Sequence, residues 1–455
     1  MIFHDTETIV APATAVGGAL CVIRISGKEA IAICDNIFQG RKPLSEAKTA
    51  TLHYGNIVDG SAVVDDVVVS IFRAPHSYTG EDSVEISAHG SRYIINKIIS
   101  LITHQGARIA EAGEFTRRAF LAGRMDLSQA EAVADIIASS SQAAHAIAST
   151  QMRGAYSDEL RALREELIRI TSLLELELDF SEEDVEFANR DELRNLLNTI
   201  LNKVNSLANS FSLGNALKEG IMVAIAGRPN VGKSTLLNRL AGEDRAMVSD
   251  IAGTTRDTIE ITTNIDGVIY RFIDTAGLHS TNDRLEQMGI ERTEQALRKA
   301  RIILWLQDCN DCQSSMENFT PAPNQTLLRV VNKIDLLKEL GDTSAHTHTG
   351  NIPTFHISAK SGEGVDRLIE EFKSLTNASA AYEGEVIVSS QRHYDALIQS
   401  RTALQSALNA LDAGISSDLL SEDIRQVMCH IGTITGEITS DDILKSIFSK
   451  FCIGK

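Results

Sequence analysis

Cysteine is sparse and scattered, six thiols in 455 residues with no dense spacing, which excludes a small secreted scaffold held by disulfides and favours a reducing compartment. Uncharged apolar runs long enough to span a bilayer are missing too, so no membrane-spanning helix is expected. The opening "MIFHDTETIV" carries His and acidic residues where a signal peptide would carry Lys or Arg. Positive charge is in deficit, with 43 Lys+Arg against 61 Asp+Glu and a net charge of −18, which argues against a protein that coats nucleic acid by bulk charge. A local basic patch or a basic partner stays open. There is no GXXG-type clamp, no basic segment rich in aromatics and no internal repeat. A cytoplasmic protein without a membrane partner is expected.

What is present is globular: 43% hydrophobic and 23% charged residues, at a length that suggests about three domains. Residues 1–118 mix β-rich runs such as "VVDDVVVSIF" and "SVEISAHG" with turn signals, which predicts an α+β domain. In residues 119–214, apolar residues recur every three or four positions with few glycines, the pattern of a helical bundle, interrupted at the acidic "SEEDVEF". In residues 215–376 the runs "IMVAIAG", "YRFIDTAG", "ARIILWLQ", "TLLRVVNK" and "TFHIS" alternate with helical segments, which predicts a parallel sheet with helices on both faces. Residues 377–455 read as helices again. Their apolar faces need partners, so the expectation is one all-α domain interrupted by an inserted α/β domain.

"GRPNVGKS" follows "IMVAIAG" and precedes "TLLNRLAG", so Gly227, Gly232, Lys233 and Ser234 fit G-x-x-x-x-G-K-S/T between a strand and a helix. Glycines let backbone amides close around phosphate oxygens, Lys233 reaches the β- and γ-phosphates, and the Ser234 hydroxyl ligates magnesium. A merely structural glycine turn is disfavoured by that context. The loop contacts are Asn230, Val231, Gly232, Lys233, Ser234 and Thr235. Further on, "NKID" offers Asn332, Lys333 and Asp335, and "SAK" offers Ser358, Ala359 and Lys360. The Asp335 carboxylate can accept from the ring N–H and the exocyclic amine that guanine has and adenine lacks. These pieces, in this order, predict a GTP/GDP site.

"DTAG" supplies Asp274 for the magnesium side, Thr275, Ala276 and the Gly277 amide for the γ-phosphate. Where many GTPases place a water-orienting Gln this chain has Leu278, which cannot position water. "SDIAGTTRD" offers Thr254 and Thr255 as switch-loop hydroxyls, one of them a second magnesium ligand; Arg256 there reads as a solvated charge as readily as a finger.

At this point the residues resemble, along essentially the whole chain, the MnmE (TrmE) tRNA modification GTPases. The matching pieces are "IRISG", "YTGEDSVE", "GEFTRRAFLAGRMDLSQAEA", "GRPNVGKS", "DIAGTTRD", "DTAGL" and the terminal "ITSDDILKSIFSKFCIGK". The resemblance implies a homodimer built through folate-binding N-terminal domains, with GTPase domains inserted in a helical domain. It also implies a heterotetramer with a flavin protein of MnmG type that carries FAD. Together they use GTP and the carbon of a methylene- or formyl-tetrahydrofolate to place an aminomethyl or carboxymethylaminomethyl group on the wobble uridine of certain tRNAs. A potassium ion takes the place of an arginine finger, with ligands carried over onto Asn230, Ser249, Ile251 and Thr254; Ser249 stands where the family commonly has Thr. By the same resemblance Glu286 orients the attacking water in place of the missing Gln, Thr255 is the switch-loop magnesium ligand, and Ser249 and Thr255 join the GTP site. Folate binding falls to Arg24, Glu85, Arg124 and Lys455. Arg124 departs from the commoner Lys, keeping the charge and changing its shape.

The tail "FCIGK" lacks the aliphatic residues that a prenylation signal wants after its cysteine, and Cys452 has no neighbouring ligand for a metal. By resemblance the tail approaches the folate domain. Cys452 is then either a nucleophile, counted with Glu286 and Lys233 among the catalytic candidates, or a packing residue; the tail's expected task is to lock the helical domain against the folate pocket. The pair Cys309 and Cys312 in "LQDCNDCQ" reads as incidental. The rival reading is a GTP-dependent RNA or ribosome assembly switch without modification chemistry of its own, which has no reason to bind folate.

Overall fold

The computed structural model describes residues 7–179, 190–242, 260–274, 295–310, 320–322, 325–336, 352–376 and 378–454. The chain forms two compact units, one of residues 1–137, 151–188 and 415–455, the other of residues 138–150 and 189–414.

The first unit is built on a seven-stranded sheet of β1 (Ile9–Pro12), β2 (Leu20–Ser26), β3 (Phe38–Gly40), β4 (Thr51–Asp59), β5 (Ala62–Phe72), β6 (Ser83–His89) and β7 (Arg108–Ile109), in the order β3-β4-β5-β6-β2-β1-β7. Only β1 and β7 pair in parallel. Alternation drives it: along β5, Asp65, Val67, Val69 and Ile71 are buried while Asp66 and Val68 between the first three are exposed, the two-residue period of a sheet with one packed face. The packed face meets α1 (Ala30–Asp35) and α2 (Arg92–His104), whose Ile95, Ile98 and Ile102 form a stripe at helical spacing.

Next in this unit come α3 (Glu114–Leu121), α4 (Leu127–Ala138) and α6 (Ala155–Asp179), with α5 (Gln142–Met152) lying mostly in the other unit. Helix α6 lies alongside the helix Ser417–Thr435, and Ser417 Oγ donates to Glu177 Oε2 at 2.9 Å. The terminal helix Asp441–Phe448 packs Leu444, Ile447 and Phe448, with Phe451, on Leu127 and Ala130 of α4.

A buried charge cluster anchors α3. Glu114, fully buried at the helix start, accepts from Arg108 Nη2 at 2.7 Å and Nη1 at 2.9 Å, from Arg118 Nη2 at 2.9 Å and from the Glu111 amide at 2.8 Å. Burial alone would raise its pKa, but the two guanidinium groups and the amide outweigh it and hold the carboxyl at about 2. Arg118 also reaches Glu81, which accepts from Ser26 Oγ at 2.7 Å.

The second unit holds a six-stranded sheet of β8 (Ile221–Gly227), β9 (Glu260–Ile265), β10 (Val268–Asp274), β11 (Ile302–Asp308), β12 (Thr326–Asn332) and β13 (Thr354–His356), ordered β13-β12-β11-β8-β10-β9. All pairs are parallel except β9 with β10. The expected parallel sheet is therefore mixed at one edge. The sequence "EITTNI" of β9 has no apolar run to announce a strand, and its pairing with β10 comes from the tight turn at Asp266 and Gly267, both at positive φ.

Two helices extend from this sheet. α7 (Arg190–Glu219) buries Leu193, Leu197, Ile200, Val204 and Leu207, and the helix Gln391–Asp412 buries His393, Leu397, Ser400, Leu404, Ala407 and Leu411. Both sets alternate four and three residues apart, the spacing of a coiled-coil seam. The pair runs antiparallel: Arg194 near the start of α7 meets Asp412 at 2.9 Å, while Phe211 near its end stacks on Tyr394 at 4.5 Å. Helix α8 (Lys233–Ala241) follows β8, and α9 (Val365–Thr376) packs Phe372 against Tyr270 and Phe272 of β10.

Candidate functional site

The loop after β8 and the turns after β11, β12 and β13 all leave the same, C-terminal edge of the sheet, where open α/β folds bind ligands. Gly227 ends β8 at φ +148°, and a Cβ there would collide with the Leu306 carbonyl. Asn230 at φ +63° and Gly232 at φ +98° then bend the loop back into α8. Lys233, only 6% exposed, donates to the loop carbonyls of Gly227 at 2.7 Å and Arg228 at 2.8 Å. Ser234 and Thr235 stand exposed on the first turn of α8, whose N-terminus favours anions. That position suits the magnesium ligand expected of Ser234. Among the described residues there is no group of three or more His, Cys, Asp or Glu that could hold a metal by itself.

The base-reading motifs are joined to the phosphate loop. Asn332, 2% exposed, donates from Nδ2 to the Val231 carbonyl at 2.8 Å and accepts the Ala359 amide on Oδ1 at 2.9 Å. The Ala359 amide is thus engaged within the protein. Lys333 donates to the Asn230 carbonyl at 2.7 Å and pairs with Asp308 at 2.7 Å; its hydrogen bond, first among several causes, holds the Asp308 carboxyl below the usual range. Arg239 of α8 clamps the "SAK" turn, its Nε donating to the Ala359 carbonyl at 3.3 Å and its Nη2 to that of Lys360. Ser358 is buried and its Oγ accepts the Ser361 amide. Asp335, in the turn Ile334–Leu336, has a buried Oδ1 with no hydrogen-bond partner among the described residues. A buried acceptor left unpaired is costly. A guanine edge would satisfy it.

Ser249, Ile251, Thr254, Thr255, Thr275, Ala276, Gly277, Glu286 and Lys455 lie outside the described residues, as do "SEEDVEF" and Cys312; of Asp274 the backbone alone is described, at the end of β10. Sequence reasoning overlooked Asp308 and Arg239. The signal for Asp308 was its place at the C-terminal end of a predicted strand; Arg239, on a helix, carried none.

In the other unit, register places Arg24 of β2 opposite Glu85 of β6. Arg24 Nε and Nη2 both lie 2.9 Å from Glu85 Oε1, and the guanidinium carbon sits 5.1 Å from the Tyr78 ring centroid and 5.6 Å from that of Phe115, within cation–π range. Tyr78 is held by Thr116 at 2.9 Å; burial is the main cause that raises its phenol pKa. Neither aromatic was singled out from the sequence. Arg124 is exposed, its side chain beside Gly80. The chain's end reaches this domain. Ile453 forms an antiparallel bridge with Ala112, and Gly454, at φ +102°, lies so close to the Pro12 carbonyl that no Cβ fits. Cys452 is exposed. Pro12 and Ala11 pair with Ile23 and Arg24, so Gly454 lies on the strand next to Arg24.

A phosphate loop, an asparagine that ties it to the base-reading turns and beside them an aspartate whose buried Oδ1 has no partner among the described residues define a P-loop protein that binds guanine nucleotides. Two family models cover most of the chain: "GTP-binding protein TrmE N-terminus" matches residues 8–124 and "MnmE helical domain" residues 127–452. The chain is 50% identical over 464 residues to the tRNA modification GTPase MnmE of Bacteroides fragilis, covering 99% of this chain and 100% of the relative. Its identity to the protein of that name from Flavobacterium johnsoniae is 48%, again over 99% of this chain and 100% of the relative. A crystal structure of an Aquifex aeolicus Era variant bound to GDP and AlF4− is 27% identical over 40% of this chain and 65% of that one, with a TM-score of 0.26. The chain belongs to the MnmE family of tRNA modification GTPases. Among its described residues no helix is long and apolar enough to cross a membrane.

Proposed function

We propose that this GTPase is activated by potassium and works in the cytoplasm as a homodimer with an MnmG-type, FAD-carrying partner. The pair installs an aminomethyl or carboxymethylaminomethyl group at C5 of the wobble uridine, using the carbon of a reduced folate. The observation that carries the folate part is the meeting of the tail with the strand domain, Gly454 on Pro12 beside the paired Arg24 and Glu85. A pterin edge offers adjacent N–H donors to a carboxylate such as Glu85, and the glutamate tail of a folate asks for cations such as Arg124 and Lys455. Cys452, exposed just before that contact, stays a candidate for positioning or for catalysis. The proposed organisation keeps four segments: 1–118 for folate and dimerisation, 119–214 and 377–455 helical, 215–376 for GTP.

For hydrolysis, Lys233 and the loop amides would hold the phosphates, Ser234 and Thr255 the magnesium, and Glu286 the attacking water. Bound potassium supplies positive charge to the transition state, and Asn230, Ser249, Ile251 and Thr254 would hold it. Asn230 suits that task, being fixed by the Lys333 bond to its carbonyl.

Calorimetric titration of 5-formyltetrahydrofolate tests the folate reading, with the full chain beside a chain ending at Phe451. The full chain is expected to bind, and truncation to weaken binding about tenfold or more through loss of a charge-assisted contact and of the wall of the pocket. Failure of both chains to bind would reject it and favour an assembly switch. Hydrolysis at matched ionic strength is expected to run about tenfold or more faster in potassium than in sodium; equal rates would remove the potassium ligands.

A further inference from the structure

Strand β11 ends on Asp308, and its carboxylate is built into the turn around it. One oxygen, Oδ1, accepts the Asn310 amide at 3.0 Å, which orients the group; the other, Oδ2, takes the Lys333 ammonium at 2.7 Å. The same ammonium donates to the carbonyl of Asn230 at 2.7 Å. The backbone between these turns is tied as well, with the Cys309 amide on the Asn332 carbonyl at 3.0 Å and Cys309 Sγ on that of Lys333 at 3.2 Å.

Lys333 itself and the Asn230 whose carbonyl its ammonium holds both sit in the left-handed region, at φ +68° and φ +63°. Side-chain-bearing residues occupy that region at a cost, and persist there when their surroundings over-determine them. The Asp308 carboxylate, held on the Lys333 ammonium, is one such constraint. Without it the ammonium would keep one neutral carbonyl as its partner in this turn, and a long, flexible side chain would swing into solvent. Among the described residues, the Asn332 bonds would then be left to join the phosphate loop to the base-reading turn.

We propose that Asp308 is a positioning residue for guanine nucleotide: by fixing Lys333 against the Asn230 carbonyl, it makes the phosphate loop and the base-reading turn one preorganised surface. Preorganisation lowers the ordering cost of binding and shows mainly in the dissociation rate. Base choice is a separate matter, since the Asp335 Oδ1 has no hydrogen bond to this chain of groups among the described residues.

The test is dissociation of a fluorescent GDP from the full-length protein, followed by stopped flow, for wild type, Asp308→Asn, Asp308→Ala and Asp308→Glu. The Asn and Ala variants are expected to release GDP about tenfold faster, the scale of one charge-assisted contact, with association within about twofold of wild type. Asp308→Glu should recover part of the loss, and the preference for GDP over IDP should not change. Lys333→Met should also speed release, and adding Asp308→Asn to it should add little, because the two act through one contact. A rate for Asp308→Asn within about twofold of wild type would overturn the proposal. So would additive losses in the double variant, or a faster release that Glu fails to rescue while the nucleotide-free protein melts earlier, since those mark a merely structural residue.

Discussion

Asp335→Asn is expected to turn this protein from a guanine into a xanthine nucleotide binder. The buried Oδ1 of Asp335 lacks a partner among the described residues, and a carboxylate offers acceptors alone, which match the ring N–H and the C2 amine of guanine. An amide at the same place brings two N–H donors. One would face the guanine amine, donor against donor, whereas the C2 carbonyl of xanthine would accept it. Losing one charge-assisted bond and stranding another group should weaken GTP binding by roughly a thousandfold or more, with XTP binding and hydrolysis gained. Competition between the two nucleotides at equal concentration reads this directly. GTP affinity unchanged in the variant would show that Asp335 does not read the base.

Glu114→Gln should cost about 3 kcal/mol or more of stability at neutral pH, because it leaves the Arg108 and Arg118 guanidinium groups packed on a neutral side chain. The sign of the pH dependence follows from the depressed pKa. A carboxyl at about 2 when folded and near 4.3 when unfolded favours the folded state fully above the unfolded value. That contribution, about 3 kcal/mol, fades as pH falls from about 4.5 towards 2. Denaturant unfolding of both proteins between pH 7 and pH 3 measures it as a difference, so that other carboxylates cancel. The wild type should lose its advantage over the variant as pH falls. Parallel curves would mean that Glu114 carries no such linkage.

Much of this was legible along the chain. "GRPNVGKS", "NKID" and "SAK" specify their own turns and chemistry within a few residues, and the structure brings them to one sheet edge, joined through Asn332. The four–three spacing of α7 and of the helix Gln391–Asp412 was readable as helix, yet nothing local said that the two would pair with one another. Strand β9 escaped because "EITTNI" makes a strand only in company with β10. The tail's approach to the strand domain came from family resemblance; no residue in "FCIGK" names Pro12 as its neighbour.

The sequence by itself determined the nucleotide, the class of fold and the family, because those are written in contiguous motifs whose backbone and donors act at short range. Tertiary structure decided which charges matter. Asp308 and Lys333 are 25 residues apart, Lys333 and Asn230 103, Arg24 and Glu85 61, and along the chain each looks like any solvated charge. Only folding removes water from some of them and fixes their partners at hydrogen-bond distance, and a charge gains its meaning from that desolvation and that partner.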